Sequence, residues 1–494
     1  MTKVVSSFEL SLRGRSRGQS LANWLYVELR SAILDGRLKA GAQLPASREF
    51  ARLYRVSRGT VVNAFERLQD EGFLHSRVGV GTRVNTTVHL SQPARGENLE
   101  PPRYIRQAIS SHPKPKPFVN WVAFDEIRPF RMRDPALAEF PAELWARIAA
   151  RRRRTFLSWL QEGDDGYGYR PLREAIAHYA GSSRGVKCDA DQIVVTSGVQ
   201  QSLDLLARFL LKAGDRVWIE DPGYFGAAIA FARVGAKMVP VPVDKDGLVV
   251  ASGLKSFAYA RGAFVTPAHQ YPLGMTMSLG RRMELLTWAH RTGAFIIEDD
   301  YDSEYRFEGL PVPALQAFDT HSSVIYVGTF TKLLFPQLRT GYVVLPRSAM
   351  EAFMSFKRGT DFHSCNMDQA VLCDFIVEGH FARHLRRMRD LYASRLDALM
   401  EYGRKYLTGL LEISETRAGL YTAAFLKNGM RSREAEAVAA RHDLETRALD
   451  RFCLKCPDPQ GLLLGFAAFD EKAIRAGAVR LATALDRSNF RVRS

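Results

Sequence analysis

The sequence predicts an α/β protein with a small helical domain at the N-terminus and a larger domain built on a mostly parallel sheet. Its 494 residues are too many for one ordinary domain and suit two or three. After residue 120, short apolar runs alternate with amphipathic helices, which is the pattern of a parallel sheet covered on both faces. A hydrophobic content of 46% and a charged content of 25% are typical of a globular chain, not a disordered one.

The larger domain contains seven runs that we interpret as buried strands. They are Ile193–Thr196, Val217–Glu220, Met238–Val243, Ala263–Thr266, Ala294–Glu298, Val324–Gly328 and Tyr342–Leu345. Helices are predicted between them at Val199–Leu211, Gly223–Val234 and Arg281–Arg291. One long arginine-rich helix, Asp368–Leu399, should lead to a small C-terminal α/β part.

The charge of the chain favours a polyanionic partner. The net charge is +16, and residues 1–85 hold fourteen Lys and Arg against seven Asp and Glu, about +7 in the first sixth of the chain. No run of about 18 apolar residues occurs, and the five cysteines are scattered as reduced thiols would be. We therefore expect a cytoplasmic protein with no membrane association and no metal site, and we interpret Cys453 and Cys456 as reduced.

Residues 21–84 have the spacing of a helix-turn-helix followed by a hairpin. Leucines and an isoleucine recur from Leu21 to Ile33 at helical intervals, and Ser47 is the predicted N-cap of a short second helix. Ser57 should cap a third helix, after a tight turn at residues 54–56. The glycine-rich stretch at residues 78–81 then predicts a wing. We expect a polar arm over residues 1–18, this domain over 19–85, a proline-rich linker over 86–120 and the larger domain over 121–494.

The third helix would present its first turn to the major groove of double-stranded DNA. Arg58 and Thr60 are the candidates for base contacts, while Arg48 would grip the backbone and Arg77 a neighbouring groove. The predicted DNA-binding residues are Arg48, Ser57, Arg58, Thr60, Asn63, Arg77 and Gly79. A winged helix that mediates protein contacts is the alternative. The run of arginines at 151–154 also admits two interpretations, a nucleic-acid patch or a solvated helix face, and we favour the second.

A second set of residues has the chemistry of a pyridoxal phosphate site. Lys332 follows a buried strand and could form an imine with the cofactor aldehyde. Asp299, preferred to Asp300, could hold the pyridine nitrogen protonated, and Tyr301 could donate to the ring oxygen. Tyr224 is placed to cover the ring face.

The cofactor phosphate needs backbone N–H groups at a helix start and a cation. The turn from strand to helix at Ser197, Gly198, Val199 and Gln200 supplies the first, and Thr329 with Arg339 would complete the cup. Each feature is weak by itself, but their order and separations together make coincidence improbable.

These residues lie in motifs that resemble known families. Residues 29–84 resemble the winged helix of GntR-type regulators, and residues 120–485 resemble fold type I aminotransferases. The runs Glu220–Tyr224, Thr266–Gly274, Glu298–Glu304, Gly328–Tyr342 and Gly461–Ala467 match the MocR subfamily, in which the two parts are joined. The resemblance implies a homodimer of aminotransferase-like domains that bind pyridoxal 5'-phosphate.

The sequence departs from true aminotransferases around the predicted ligand. Tyr271 stands where an asparagine is usual, and across Cys453–Ala468 only Lys455 offers a cation in place of the arginine that binds the substrate carboxylate. His269, Gln270 and Tyr271 are expected to line the effector site.

Three functions remain open at this point. The leading hypothesis is a transcription regulator, not an enzyme, that senses an amine or amino acid through external aldimine formation at Lys332. The second is a true aminotransferase with a DNA-binding head. The third is a regulator that senses pyridoxal phosphate itself.

Overall fold

A computed structural model describes residues 10–12, 14–15, 18–77, 81–86, 127–154, 166–309, 312–361, 366–427, 429–455 and 459–486. The chain divides into two compact units, Met1–Lys114 and Pro115–Ser494. Residues 87–120 of the predicted linker lie outside the described residues, as do most of residues 1–18.

The first unit is the predicted winged helix. Its helices are α1 (Leu21–Leu34), α2 (Ser47–Leu53) and α3 (Arg58–Asp70), and its strands are β1 (Gln43–Leu44), β2 (Leu74–Arg77) and β3 (Gly81–Val84). The strands form an antiparallel sheet in the order β1-β3-β2. The short strand β1 was not predicted, since two residues carry no recognisable alternation.

The core of the winged helix is aromatic as well as aliphatic. Phe50 of α2 is fully buried, and its ring lies 5.4 Å from the ring of Phe65 on α3. Leu10 joins this core, and its carbonyl accepts a hydrogen bond of 2.9 Å from the Tyr54 hydroxyl. The prediction of Ser47 as an N-cap is wrong by one residue, because the cap is Ala46 and Ser47 is already helical.

The second unit is built on the predicted sheet, which has eight strands in the order β4-β11-β10-β9-β8-β5-β6-β7. The pairs from β10 through β9, β8, β5 and β6 are parallel, and those at β4, β11 and β7 are antiparallel. The strands are β4 (Ile193–Thr196), β5 (Arg216–Asp221), β6 (Lys237–Asp244), β7 (Gly247–Leu248), β8 (Gly262–Val265), β9 (Phe295–Asp300), β10 (Val324–Thr329) and β11 (Gly341–Val344).

Helices pack around this sheet and bury its apolar residues in separate clusters. They are α4 (Ala142–Arg154), α5 (Arg170–Arg184), α6 (Val199–Leu210), α7 (Phe225–Arg233), α8 (Val250–Phe257), α9 (Leu279–Thr292), α10 (Met350–Arg358), α11 (Asn366–Val377) and α12 (His380–Tyr406). The seven predicted strands and three predicted helices all occur, with ends that shift by one or two residues.

The C-terminal part is the predicted small α/β layer. Its antiparallel sheet has the order β12-β13-β15-β14, with β12 at Leu411–Ile413, β13 at Tyr421–Leu426, β14 at Arg447–Ala448 and β15 at Gly461–Gly465. Helices α13 (Ser432–Arg441) and α14 (Glu471–Leu485) complete it.

The single helix expected over Asp368–Leu399 is two helices, α11 and α12. Gly379 separates them in a left-handed conformation with φ of 75°, which glycine adopts without the steric cost that a Cβ imposes. Apolar residues recur on both sides of this glycine, while the arginines all follow it, so periodicity alone did not reveal the break.

The arginine run at the end of α4 forms ion pairs within the protein. Nη2 of Arg151 lies 3.0 Å from Oδ2 of Asp374, and Nε of Arg152 donates to the same oxygen at 2.7 Å. These contacts hold α4 against α11, which favours the helix-face interpretation over a nucleic-acid patch.

The expectations about cysteines, membranes and metals can be compared with the described residues. Cys188 and Cys373 are free, but Cys453 is disulfide-bonded, so the prediction that it is reduced is wrong. Within the described ranges no helix has the length and apolarity needed to cross a membrane. Nor does any group of His, Cys, Asp and Glu in those ranges have the arrangement of a metal site.

The core of the winged helix, which we also call the head, can be tested with a matched pair of substitutions. Phe50→Ala should lower the free energy of unfolding of the head by about 3–5 kcal/mol, because it empties a buried aromatic site. Leu53→Ala, on the same helix but 49% exposed, should change it by less than about 0.5 kcal/mol. Calorimetry of the two variants measures both values, and equal shifts would contradict the assigned core.

Candidate cofactor site and DNA-binding surface

The candidate cofactor site lies at the carboxyl ends of neighbouring parallel strands. Strand β9 ends at Asp300, and β10, which pairs with it, ends at Thr329 just before the turn that carries Lys332. Because β9 and β10 are parallel and adjacent, Asp299 and Lys332 lie at the same edge of the sheet. Motifs that are separated in the sequence therefore meet in a single site.

Three consecutive acidic residues end β9. The first and the third accept hydrogen bonds from the protein, although Oδ1 of the third, Asp300, has no partner among the described residues. Glu298 accepts the N–H groups of Leu315 at 2.7 Å and Gln316 at 2.9 Å, and burial raises its pKa to about 7. Asp300 accepts hydrogen bonds of 2.8 Å from Arg184 and from Tyr326. Burial alone would raise the pKa of Asp300, but the charge of Arg184 and these hydrogen bonds hold it below its usual value.

Asp299, the middle residue, is left open. Its side chain is buried, and Oδ1 has no hydrogen-bond partner among the described residues. Burial and the charges of Asp300 and Asp302 raise its pKa well above the usual value. A buried carboxyl group without a partner is costly unless a cation meets it, which fits the protonated pyridine nitrogen of the cofactor.

Lys332 has the surroundings of a reactive amine. Its Nζ donates a hydrogen bond of 2.8 Å to the backbone carbonyl of Arg133. Burial lowers the pKa of Lys332, and the positive charge of Arg133 acts in the same direction, against the charges of Asp134 and Asp302. A lowered pKa favours the neutral amine, the form that attacks an aldehyde.

The residues predicted to bind the cofactor phosphate come from three chain segments. Gly198, with φ of 91°, precedes the first turn of α6, and a Cβ on it would lie 3.3 Å from the guanidinium carbon of Arg339. Nη2 of Arg339 donates to the carbonyl of Ser197 at 3.0 Å. Thr329 is buried, and its hydroxyl accepts the N–H of Thr331 at 3.1 Å. The N–H groups that begin α6 at Val199 and Gln200 and the Arg339 guanidinium suit a phosphate.

An aromatic cage surrounds Tyr271. The Tyr271 ring lies 5.5 Å from Tyr224, 5.8 Å from Tyr301, 6.0 Å from Tyr421 and 5.4 Å from Phe452, measured between ring centroids. The predicted ring-covering residue Tyr224 and the predicted effector-lining residue Tyr271 are therefore in edge-to-face contact. Phe452 and Tyr421 come from the C-terminal part and were not predicted.

His269 and Tyr301 share a buried hydrogen-bond network. Nδ1 of His269 lies 2.8 Å from Oδ1 of Asp302 and 3.1 Å from the Tyr301 hydroxyl, which lies 3.1 Å from the Tyr421 hydroxyl. Nε2 of His269 has no partner among the described residues. Asp302 was missed although it belongs to the same acidic motif as Asp299, because nothing in the sequence pairs it with His269.

Gln270 occupies a different place from the other predicted effector-lining residues. Its Nε2 donates to the carbonyls of Pro222 at 2.9 Å and Tyr271 at 2.6 Å, and its Oε1 accepts the N–H of Leu273 at 3.0 Å. Through these contacts Gln270 links the loop that contains Pro222 to the loop that contains Tyr271 and Leu273.

Four of the seven predicted DNA-binding residues lie at the N-terminal end of α3, and Arg48 lies on α2. Ser57 caps this helix, and its Oγ accepts the Thr60 N–H at 3.1 Å and lies 2.8 Å from the Thr60 hydroxyl. Arg48, Arg58 and Asn63 are exposed. The side chain of Arg77 and all of Gly79 lie outside the described residues.

Comparisons with known proteins bear directly on both units. A family model described as bacterial regulatory proteins of the gntR family matches residues 21–84, and one described as aminotransferase class I and II matches residues 160–430. The probable rhizopine catabolism regulatory protein MocR of Rhizobium meliloti is 39% identical, over 93% of this chain and 92% of that protein. The chain belongs to the MocR subfamily of GntR-type transcription regulators.

Further MocR-type relatives are similar over most of their length. The pyridoxine biosynthesis regulator PdxR of Corynebacterium glutamicum is 29% identical, over 92% of this chain and 94% of that protein. The regulator TauR of Rhodobacter capsulatus is 30% identical, over 81% and 82%.

Solved aminotransferases have the same fold as the larger unit. LysN, an α-aminoadipate aminotransferase from Thermus thermophilus in complex with N-(5'-phosphopyridoxyl)-L-leucine, matches with a TM-score of 0.66 and 26% identity, over 72% of this chain and 91% of that one. Kynurenine aminotransferase from Pyrococcus horikoshii, in complex with PMP, matches with a TM-score of 0.68 and 25% identity, over 81% and 98%. The predicted fold type and the predicted cofactor, pyridoxal phosphate, are thereby confirmed.

The buried ion pair beneath this MocR-type site predicts a large loss of stability. Arg184→Met leaves the Asp300 carboxylate buried without its cation and should cost about 3–5 kcal/mol. Arg208→Met, which removes an exposed pair with Asp204, should cost less than about 1 kcal/mol.

Thermal unfolding of the two variants tests this difference. The wild-type pair should stabilise the protein above about pH 4 and lose its effect as the pH falls further, because the paired carboxyl has a lowered pKa. Equal effects of the two substitutions would mean that Arg184 is not needed to neutralise Asp300.

Proposed function

We propose that this transcription regulator senses an amine or amino acid by external aldimine formation with pyridoxal phosphate held at Lys332. The observation that carries the proposal is the open carboxyl of Asp299 at the end of β9, one strand away from the low-pKa amine of Lys332. In this exchange the C=N bond to Nζ of Lys332 would be replaced by a C=N bond to the effector nitrogen, and the lysine amine would be released, so no oxidant and no second substrate are required.

We propose a role for each predicted cofactor residue. Asp299 would hold the pyridine nitrogen, and Tyr301 would donate to the ring oxygen. Tyr224 would cover the ring face. The residues proposed for the phosphate are Ser197, Gly198, Val199, Gln200, Thr329 and Arg339.

The residues around the proposed effector site favour sensing over catalytic turnover. Tyr271 fills the position of the usual asparagine and lies in a cage of aromatic rings, so the ring oxygen has a different neighbour from that in aminotransferases. The MocR-type relatives are named as regulators. Lys332 and Asp299 are nevertheless compatible with transamination, and residual activity is part of the alternative.

Sensing of pyridoxal phosphate itself is the second candidate. It is favoured by one observation, the similarity to a regulator of pyridoxine biosynthesis. In that case DNA binding would depend on the cofactor and no amine would change it.

In the proposed sensor, the winged helix binds DNA and so links effector binding to transcription. We infer that a cytoplasmic homodimer places two heads on half-sites of double-stranded DNA, with Arg58 and Thr60 near base edges and Arg48 on the backbone. Asn63 lies one turn further along α3.

Arg58→Ala should weaken specific operator binding by about 1–3 kcal/mol, the value of a bidentate contact with a base. Binding to random DNA should change far less, and Arg48→Ala should weaken both to similar extents because it contacts only the backbone. Fluorescence anisotropy with operator and random duplexes at one salt concentration measures the four differences. Unchanged operator affinity in the Arg58 variant would remove this residue from the interface.

An absorbance titration with a panel of amines tests the sensing step. One compound should produce a persistent change in the cofactor band and alter operator affinity, while Lys332→Ala should lack the band of the lysine-bound cofactor from the start. Lys187→Ala, which removes an exposed lysine of the same domain, is the matched control.

Two results of this titration would overturn the proposal. Repeated conversion of a keto acid would establish a true aminotransferase, and a cofactor band that responds to an amine without any change in DNA binding would separate the site from regulation.

A further inference from the structure

The turn that precedes α6 is held in place by hydrogen bonds to both backbone groups of Ser197. The Ser197 N–H donates a hydrogen bond of 2.5 Å to Oε1 of Gln201, and the Ser197 carbonyl accepts one of 3.0 Å from Nη2 of Arg339. The carbonyl of Gly198, the next residue, accepts the N–H groups of Gln201 at 3.1 Å and Ser202 at 3.2 Å. Contacts within the protein therefore fix the turn at which the phosphate of the cofactor is proposed to bind.

The Gln201 side chain is in turn held by residues at the end of α10. Nε2 of Gln201 donates a hydrogen bond of 2.6 Å to Oδ2 of Asp361, three residues after the helix. Oδ1 of Asp361 accepts a hydrogen bond of 2.8 Å from Nζ of Lys357. The Lys357 side chain is fully buried, whereas that of Asp361 is 22% exposed. A continuous chain of hydrogen bonds thus leads from Lys357 through Asp361 and Gln201 to the backbone of Ser197.

The direction of these hydrogen bonds follows from the chemistry of each group. An ammonium group only donates, a carboxylate only accepts, and a side-chain amide has one end of each kind. Gln201 must therefore present its NH2 group to the Asp361 carboxylate, which leaves Oε1 to accept the Ser197 N–H. If the amide were reversed, two donors would face each other at Ser197. Asp361 thereby determines the orientation of Gln201, and the buried ammonium group of Lys357 neutralises the Asp361 charge.

The position of Ser197 matters for an anion because the first N–H groups of α6 follow it directly. Such N–H groups have no partner within their own helix, and the N-cap of α6, Gly198, makes no side-chain hydrogen bond to them. The Arg339 guanidinium approaches the same turn through the Ser197 carbonyl. A shift of Ser197 would move the N–H groups and weaken the contact with Arg339, whereas a phosphate binds best where N–H groups and a cation converge.

We propose that Gln201 and Asp361 are positioning residues for the phosphate of pyridoxal phosphate. They act on the phosphate only through the turn at Ser197 and Gly198, which they hold so that the N–H groups of α6 and the Arg339 guanidinium converge on one anion. Lys357 supports them by its ion pair with Asp361. The inference rests on pyridoxal phosphate as the cofactor and is independent of whether the protein senses an amine.

A comparison of pyridoxal phosphate with pyridoxal, which lacks the phosphate, tests the inference. The cofactor-free, full-length protein is titrated with each compound, and absorbance gives the two dissociation constants. In Asp361→Asn the new amide oxygen accepts from Lys357, so its NH2 group faces Gln201 and reverses the Gln201 amide. This substitution should weaken binding of pyridoxal phosphate about tenfold and binding of pyridoxal less than about twofold.

A second variant and a matched control accompany this measurement. Gln201→Met removes both polar ends of the amide and should produce the same selective loss. Asp204→Asn changes another carboxylate of α6 that is 18% exposed but pairs with Arg208 and Arg233. It should leave both dissociation constants unchanged. The 31P resonance of the bound cofactor should move in the first two variants and stay in place in the control.

The comparison between the two compounds separates positioning of the phosphate from a general effect on the fold. A selective loss for pyridoxal phosphate, with an unchanged melting temperature of the cofactor-free protein, would support the inference. Equal losses for both compounds would mean that these residues only stabilise the fold, and the inference would be wrong. Wild-type affinity for pyridoxal phosphate in both variants would also overturn it. Asp361→Asn is nearly isosteric, so it decides the question if Gln201→Met does not fold.

Discussion

The acidic run at the end of β9 is the constraint on which the site depends. Glu298, Asp299 and Asp300 are all buried, and a buried charge without a partner costs several kcal/mol. Backbone N–H groups donate to the first, and an arginine and a tyrosine donate to one oxygen of the third. The protein thereby uses its own donors on the flanking carboxyls and leaves the middle one for a ligand. We propose that the cation that meets Asp299 comes from the cofactor.

The parts of the site that follow strand ends could be predicted from the sequence. Lys332, Asp299 and Gly198 each lie within a few residues of a recognisable buried strand, and parallel strands bring such positions to one edge. The winged helix was predictable for a similar reason, since the caps and apolar spacing of its helices are local. In both units, each of these residues lies fewer than ten residues from the sequence pattern that predicts it.

The remaining site residues depend on contacts that no local pattern encodes. Tyr421 reaches Tyr301 only because β13 brings it there, and Phe452 reaches Tyr271 from a short helical turn of the C-terminal part. Arg133 lies in a segment without regular structure, where no periodicity marks it. The break at Gly379 was not predicted for the opposite reason, because a local helical pattern continues on both sides of the glycine.

Arg133 contacts the amine that the proposed sensor releases. Its carbonyl accepts the hydrogen bond from Nζ of Lys332, so departure of the lysine would break a contact of this residue. Arg133 also lies close in sequence to the end of the predicted linker at residue 120. A ligand changes the balance between two states only by the difference in its affinity for them, a few kcal/mol for a substantial switch. In the proposed sensor, one contact that differs between the two states is the hydrogen bond from Nζ of Lys332 to the carbonyl of Arg133.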